Sequence, residues 1–202
     1  MVIIFDLDGT LVDSRASIIA ALNHAFHIVT GDTNDFECFK VGPPLRTAVR
    51  DVIACDLQVE RVVEEFKYIY DKSYFSLAEL YLGVADVLMD LSEDHSLVLA
   101  TNKRAVPTYK ILEHLGLIDL FDDVIAQGHG AEVSKLENIR SSSIDLSGDS
   151  YLIGDTWGDM ETALKLGCTP IFCDWGYGDK PAEKVLIAER PSELLTIIRS
   201  KV

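Results

Sequence analysis

The chain opens on an apolar run, Val2-Ile3-Ile4-Phe5, that stops at Asp6-Leu7-Asp8-Gly9-Thr10. The run is short and rich in β-branched and aromatic residues, which predicts a buried strand ending at the acids. Beyond it the periodicity changes. Ile18, Ile19, Leu22 and Phe26 form an apolar stripe at helical spacing, with Ser14 placed to cap its start. The cluster Gly31-Asp32-Thr33-Asn34-Asp35 breaks that helix. A second break, Val41-Gly42-Pro43-Pro44-Leu45, precedes a helix predicted from Arg46 to Cys55. A third helix is predicted from about Val59 to Phe75, burying Val62, Val63, Phe66, Ile69 and Tyr70. This block carries no strand signal.

From Gly83 onward, helices and apolar runs alternate. A helix over Val84–Leu91 leads to a strand, Leu97-Val98-Leu99-Ala100, ending at Thr101-Asn102-Lys103. A helix carrying Val106, Tyr109, Ile111, Leu112 and Leu115 stops at Gly116, and a short strand follows at Val124-Ile125-Ala126. Asn138 to Ser143 is a poor helix former. Tyr151-Leu152-Ile153 predicts a strand ending at Gly154-Asp155, followed by a helix from Asp159 to Leu166 that stops at Gly167. Pro170-Ile171-Phe172-Cys173 predicts another strand, and Pro191-Ser192 the start of a last helix. Strands alternating with helices predict an α/β protein with a Rossmann-like parallel sheet. The expected organisation is a core of residues 1–13 and 82–202, interrupted by an all-helical insert of residues 14–81. Open α/β sheets bind ligands at the C-terminal ends of their strands. The reactive-looking residues fall there, and the insert is expected above that edge as a lid.

Composition narrows the partners. The 202 residues are 48% hydrophobic and 25% charged, enough for a sizeable core in a soluble protein. A formal net charge of −15 opposes binding to nucleic acid or to an anionic membrane surface. An anionic substrate would therefore need local help from a metal, lysines and backbone N–H groups. No stretch approaches the length of a membrane span, and no secretory segment opens the chain. Cys38, Cys55, Cys168 and Cys173 form no C-x-x-C pair, as expected of free thiols in a reducing cytoplasm. The histidines are scattered singly and suggest no metal cluster.

The acids suggest chemistry. Alternation along an extended chain points Asp6 and Asp8 to one side, where two carboxylates repel unless a positive charge sits between them. A hard cation that prefers oxygen ligands, such as Mg²⁺, answers that need. Gly9 and Thr10 then let the backbone turn closely around an anion. Thr101 brings a hydroxyl and adjacent N–H groups to a second strand end, and Asp155 and Asp159 bring acids to a third.

These segments resemble the haloacid dehalogenase superfamily, in its phosphatase branch. Asp6-Leu7-Asp8-Gly9-Thr10 resembles its first motif, Asp-x-Asp-Gly-Thr, and Thr101 matches the hydroxyl of the second. Gly154-Asp155-Thr156-Trp157-Gly158-Asp159 resembles the fourth, Gly-Asp-x-x-x-Asp. Thr101-Asn102-Lys103 and Trp175-Gly176-Tyr177-Gly178 resemble segments of phosphoglycolate-phosphatase-like members. The third motif departs from the pattern, because Lys135 is not followed by proline and precedes Asp155 by only 20 residues.

The resemblance implies a Mg²⁺-dependent phosphatase acting on a small phosphorylated metabolite. Asp6 is then the nucleophile and Asp8 the acid and base. Asp6, Asp155 and the Asp8 backbone carbonyl hold the metal, with Asp159 orienting a metal-bound water or the loop. Thr101 and Lys135 clamp the phosphate, with Lys103 as the substitute if Lys135 points away. Gly9, Asn102 and Lys103 are further candidates for substrate binding. So is Arg46, in a segment that resembles the loop family members dip into the active site. Asp8 argues against a dehalogenase, and Ile18 stands where the related mutases carry a histidine. A pyrophosphatase, a nucleotidase or a silent phosphate-binding protein on the same core remain as alternatives.

Overall fold

The computed structural model describes residues 1–34, 36, 41, 45–128 and 133–200. The Gly42-Pro43-Pro44 break, Cys38 and His129 lie outside them. The chain divides into two compact units, Met1–Asp13 with Leu80–Val202, and Ser14–Glu79.

In the first unit β1 (Val2–Phe5) continues past the acids to the two-residue β2 (Val12–Asp13). The second unit holds α1 (Arg15–Thr30), α2 (Leu45–Arg50) and α3 (Asp56–Lys72), then a 3-10 turn at Tyr74–Leu77. Its core packs Ile18, Leu22 and Phe26 with Val62, Val63, Ile69 and Tyr70, from the stripes that helical spacing predicts, and adds Ala21, Ala25 and Val59. Gly31 closes α1, but Ser14 caps it differently from expectation. The Ser14 side chain makes no capping bond, whereas its carbonyl accepts the Ile18 N–H and the Ser17 hydroxyl. The predicted helix from Arg46 to Cys55 stops at Arg50. The next one starts early, at Asp56, whose carboxylate favours a helix N-terminus. It ends at Lys72 because the chain tightens into the 3-10 turn before Phe75. Near its end the block adds a strand residue that periodicity did not signal, in β3 (Glu79–Leu80), which pairs with β2.

The first unit resumes with α4 (Val84–Ser92), β4 (Ser96–Arg104), α5 (Ala105–His114), β5 (Asp123–Gln127) and α6 (Lys135–Ser141). It ends with β6 (Ser150–Gly154), α7 (Trp157–Leu166), β7 (Thr169–Cys173), β8 (Leu186–Ala188) and α8 (Glu193–Arg199). Six strands form one parallel sheet in the order β5-β4-β1-β6-β7-β8. Strands β1 and β6 are central, and Ile3, Ile4, Phe5, Leu152 and Ile153 are buried, as helix-covered parallel strands require. No described helix is long and apolar enough to cross a membrane. Cys55, Cys168 and Cys173 are free thiols.

Three differences from the sequence reading bear on the site. Strand β4 does not stop at Thr101 but runs on to Arg104, with a register shift against β5 between Ala100 and Arg104. Helix α6 forms where composition disfavoured one, because Ser134 and Glu137 close a reciprocal capping box at its start. Short β8 at the sheet edge was not foreseen.

Candidate active site

Register places the acids. Phe5 pairs with Leu99 on one side and Ile153 on the other, and the Asp6 N–H donates to the Ile153 carbonyl at 2.9 Å. The residues just past Phe5 and Ile153, and Thr101 two beyond Leu99, therefore emerge at one edge of the sheet. Asp6, Asp155 and Asp159 converge there. Each offers a carboxylate oxygen within 4.8 Å of the others, and all three residues are buried.

A lysine, Lys135, sits among them. Lys135 Nζ lies 2.7 Å from Asp6 Oδ1 and 2.5 Å from Asp159 Oδ1, with its side chain only 6% exposed. The capping box of α6 fixes the backbone from which it projects. Asp159 also closes the capping box of α7, where its Oδ2 accepts from the Thr156 hydroxyl and N–H at 2.6 and 3.1 Å. Asp159 thus binds both a helix N-terminus and Lys135.

Asp155 is held by two segments. The Thr10 hydroxyl donates to its Oδ1 at 3.3 Å, and the Tyr177 backbone N–H donates to its Oδ2 at 2.7 Å. The Trp175 indole N–H in turn donates to the Thr10 carbonyl at 3.0 Å. Two glycines allow this packing. A Cβ on Gly9, which has φ 85°, would fall 2.2 Å from Asp155 Oδ2, and one on Gly176 would fall 2.2 Å from Asp155 Cβ. The N–H of Gly9 is committed to the Val12 carbonyl at 2.9 Å, so the glycine here makes room for Asp155. Residue types mark Trp175–Gly178 as a close turn, but the link from Tyr177 to Asp155 is made by a backbone donor, which leaves no mark on residue type.

Asp6 and Asp8 engage separate lysines. Lys103 Nζ lies 3.1 Å from both oxygens of Asp8. Lys135, by contrast, faces Asp6 and Asp159 and does not turn away from them. Thr101 is buried in β4, where its hydroxyl oxygen accepts the Lys103 N–H at 3.2 Å, whereas Asn102 is exposed. Arg46 belongs to the other unit, where it pairs with Glu60 at 2.5 Å on the surface.

The electrostatics favour a cation. Burial drives the Asp6 carboxyl up from 3.8 to about 7; Lys135 opposes the rise, and the charges of Asp159 and Asp155 add to it. Burial likewise lifts Asp155 to about 6 against the pull of the Tyr177 N–H. For Lys135 burial works downward, but Asp159 and Asp6 overcome it and hold the ammonium above its ordinary range. With the three carboxylates deprotonated, as metal binding requires, the cluster and its ammonium would carry a net charge of about −2, which a divalent cation would cancel. The donors are all carboxylate oxygens, the chemistry that suits Mg²⁺ rather than a thiophilic metal.

Comparison with known proteins agrees with this arrangement. The family model for haloacid dehalogenase-like hydrolases matches residues 3–173. Tyrosine-protein kinase PtkA of Mycobacterium tuberculosis is 26% identical over 183 residues, covering 87% of this chain and 62% of the relative. The chain thus spans less than two thirds of that relative's length. A phosphoglycolate phosphatase of Synechococcus elongatus is 29% identical over 210 residues, covering 97% of this chain and 96% of the relative. A solved haloacid dehalogenase-like family hydrolase from Streptococcus pneumoniae superposes with a TM-score of 0.82 at 26% identity, covering 98% of this chain and 97% of that one. With the family model spanning most of both the sheet and the helical block, the chain belongs to the haloacid dehalogenase-like hydrolases.

Proposed function

We propose that the protein is a Mg²⁺-dependent phosphatase that hydrolyses a small phosphomonoester by way of a phosphorylated Asp6. The observation that carries this reading is the buried cluster of Asp6, Asp155, Asp159 and Lys135 at the strand ends. The named phosphatases among the relatives support the direction of transfer.

In the first step a carboxylate oxygen of Asp6 attacks phosphorus in line, and the bond to the leaving oxygen breaks. Asp8 gives that oxygen its proton. In the second step water attacks the same phosphorus and gives its proton to Asp8. The bond to Asp6 breaks, and its electron pair restores the carboxylate. Lys135 offsets charge on Asp6 and orients it. Thr101 would hold a phosphate oxygen, and the segments carrying Gly9 and Asn102 would border the phosphate. Asp6, Asp155 and the Asp8 carbonyl would hold Mg²⁺, and Asp159 would orient a bound water. When bound, the ion supplies electrostatic stabilisation of the transferred group. Residues 14–79 are proposed as a cap that selects substrate, with Arg46 as a reader of a second anionic group.

The test is a screen of small phosphate esters, diphosphates and nucleotides with and without Mg²⁺, together with a tyrosine peptide plus ATP. Metal-dependent phosphate release from monoesters supports the reading. Preference for diphosphates or nucleotides would move it to a pyrophosphatase or nucleotidase, and peptide phosphorylation to the activity in the name of PtkA. Binding without turnover would leave a phosphate-binding protein.

A further inference from the structure

We propose that Lys103 is a positioning residue: its ammonium holds the Asp8 carboxylate in the orientation from which it receives the proton of the hydrolytic water. The inference rests on the phosphatase reading and assigns Lys103 a task other than touching substrate.

The geometry carries it. Lys103 Nζ is equidistant from the two Asp8 oxygens, 3.1 Å from each, so it straddles the carboxylate and fixes its rotation about the Cβ–Cγ bond. The Lys103 side chain is 9% exposed and that of Asp8 18%. A lysine so deeply covered loses much of its hydration, a cost that a two-point contact to a carboxylate offsets. The fold directs it there as well. Lys103 lies on β4 within the register shift between Ala100 and Arg104, and such irregularities turn side chains away from regular alternation. The Lys103 N–H donates to the Thr101 hydroxyl at 3.2 Å, which ties this stretch of backbone to the second motif. Asp6, by contrast, takes its ammonium from Lys135. One lysine therefore serves the nucleophile and a second serves the neighbouring acid.

The consequence falls on the second half of the reaction. In that half the water oxygen bonds to phosphorus, the phosphorus–Asp6 bond breaks, and the water proton passes to Asp8. With p-nitrophenyl phosphate the first half needs no proton, because p-nitrophenolate leaves unaided. Loss of Lys103 should then slow only breakdown of the phosphorylated Asp6.

The experiment is rapid mixing of Mg²⁺-loaded protein with p-nitrophenyl phosphate, comparing wild type, Lys103→Met and Lys103→Arg. In Lys103→Met the inference predicts a burst of p-nitrophenolate approaching one per active site and a kcat lower by about tenfold to hundredfold. Its kcat/KM should change by less than about threefold, and Lys103→Arg, which keeps two donors, should recover much of the loss. Lys103→Gln carries the same test if the methionine variant unfolds. An unchanged kcat, or a kcat/KM that falls in step with kcat without a burst, would overturn the positioning role in favour of substrate binding or general structure. A wild type that releases no p-nitrophenolate with Mg²⁺ would overturn the phosphatase reading itself.

Discussion

The ammonium of Lys135 lies 2.7 Å from the carboxylate of Asp6, and neither side chain is more than 11% exposed. The nucleophile proposed above is therefore half of a buried ion pair, and its partner also bonds Asp159. Removing one member of such a pair strands the other in a poorly solvated place, which costs more than the intact pair contributes.

Lys135→Met should accordingly destabilise the protein by about 3–5 kcal/mol at pH 8 and abolish phosphatase activity. The loss of stability should shrink at pH 5. There Asp6, already raised to about 7, takes up a proton and no longer presents an unpaired charge. Denaturant melts of wild type and variant at the two pH values measure the difference.

Stability without metal should itself depend on pH. Folded Asp6 and Asp155 hold protons up to about 7 and about 6, against 3.8 for the free carboxyl. Between these values the folded state binds more protons than the unfolded one. Their contribution is complete below about pH 4 and is lost as pH rises through 6 to 7. Tm of the metal-free protein should fall from pH 5 to pH 8. Added Mg²⁺ should raise it by on the order of 5–10 °C at a hundredfold excess over Kd, and by less at pH 5, where protons compete for the ligands. Thermal unfolding with and without Mg²⁺ tests both signs.

Asp155 depends on its close neighbours. Gly176→Ala puts a methyl group 2.2 Å from Asp155 Cβ, so the carboxylate must shift. Mg²⁺ affinity should drop at least about tenfold, as when groups that orient a ligand are disturbed. Tyr177→Phe is the control. It removes the hydroxyl bond to Asp13 at 2.9 Å but keeps the backbone N–H on Asp155. It should cost about 1 kcal/mol and leave Mg²⁺ affinity unchanged, as read by calorimetric titration.

The sheet was legible because its central strands are uninterrupted apolar runs that end at acids, as at Phe5-Asp6 and Gly154-Asp155. Register then brings distant motifs to one edge, which follows from parallel pairing. What stayed hidden depends on geometry rather than on residue type. Periodicity cannot show that β4 continues through Lys103, or that its side chain reaches Asp8. The capping box of Ser134 and Glu137 was present in the sequence, but the serine-rich stretch behind it outweighed the signal. The Tyr177 N–H on Asp155 is a main-chain contact, invisible in any one-letter pattern. Nor can such a pattern show that each of the two carboxylates faces its own lysine, Lys135 at Asp6 and Lys103 at Asp8.

Arg46 is exposed and paired with Glu60, so Arg46→Ala should change stability by no more than about 1 kcal/mol. If it reads a second anionic group, KM for carboxylated or doubly phosphorylated esters should rise far more than KM for an aryl phosphate. Equal effects on both would remove it from substrate selection.

The most direct measurement is the Mg²⁺-dependent hydrolysis of p-nitrophenyl phosphate by Asp6→Asn beside wild type. An amide cannot carry the phosphoryl group, so the account predicts turnover reduced at least about a thousandfold, with the fold intact. Metal-dependent turnover within about tenfold of wild type would contradict Asp6 as the nucleophile.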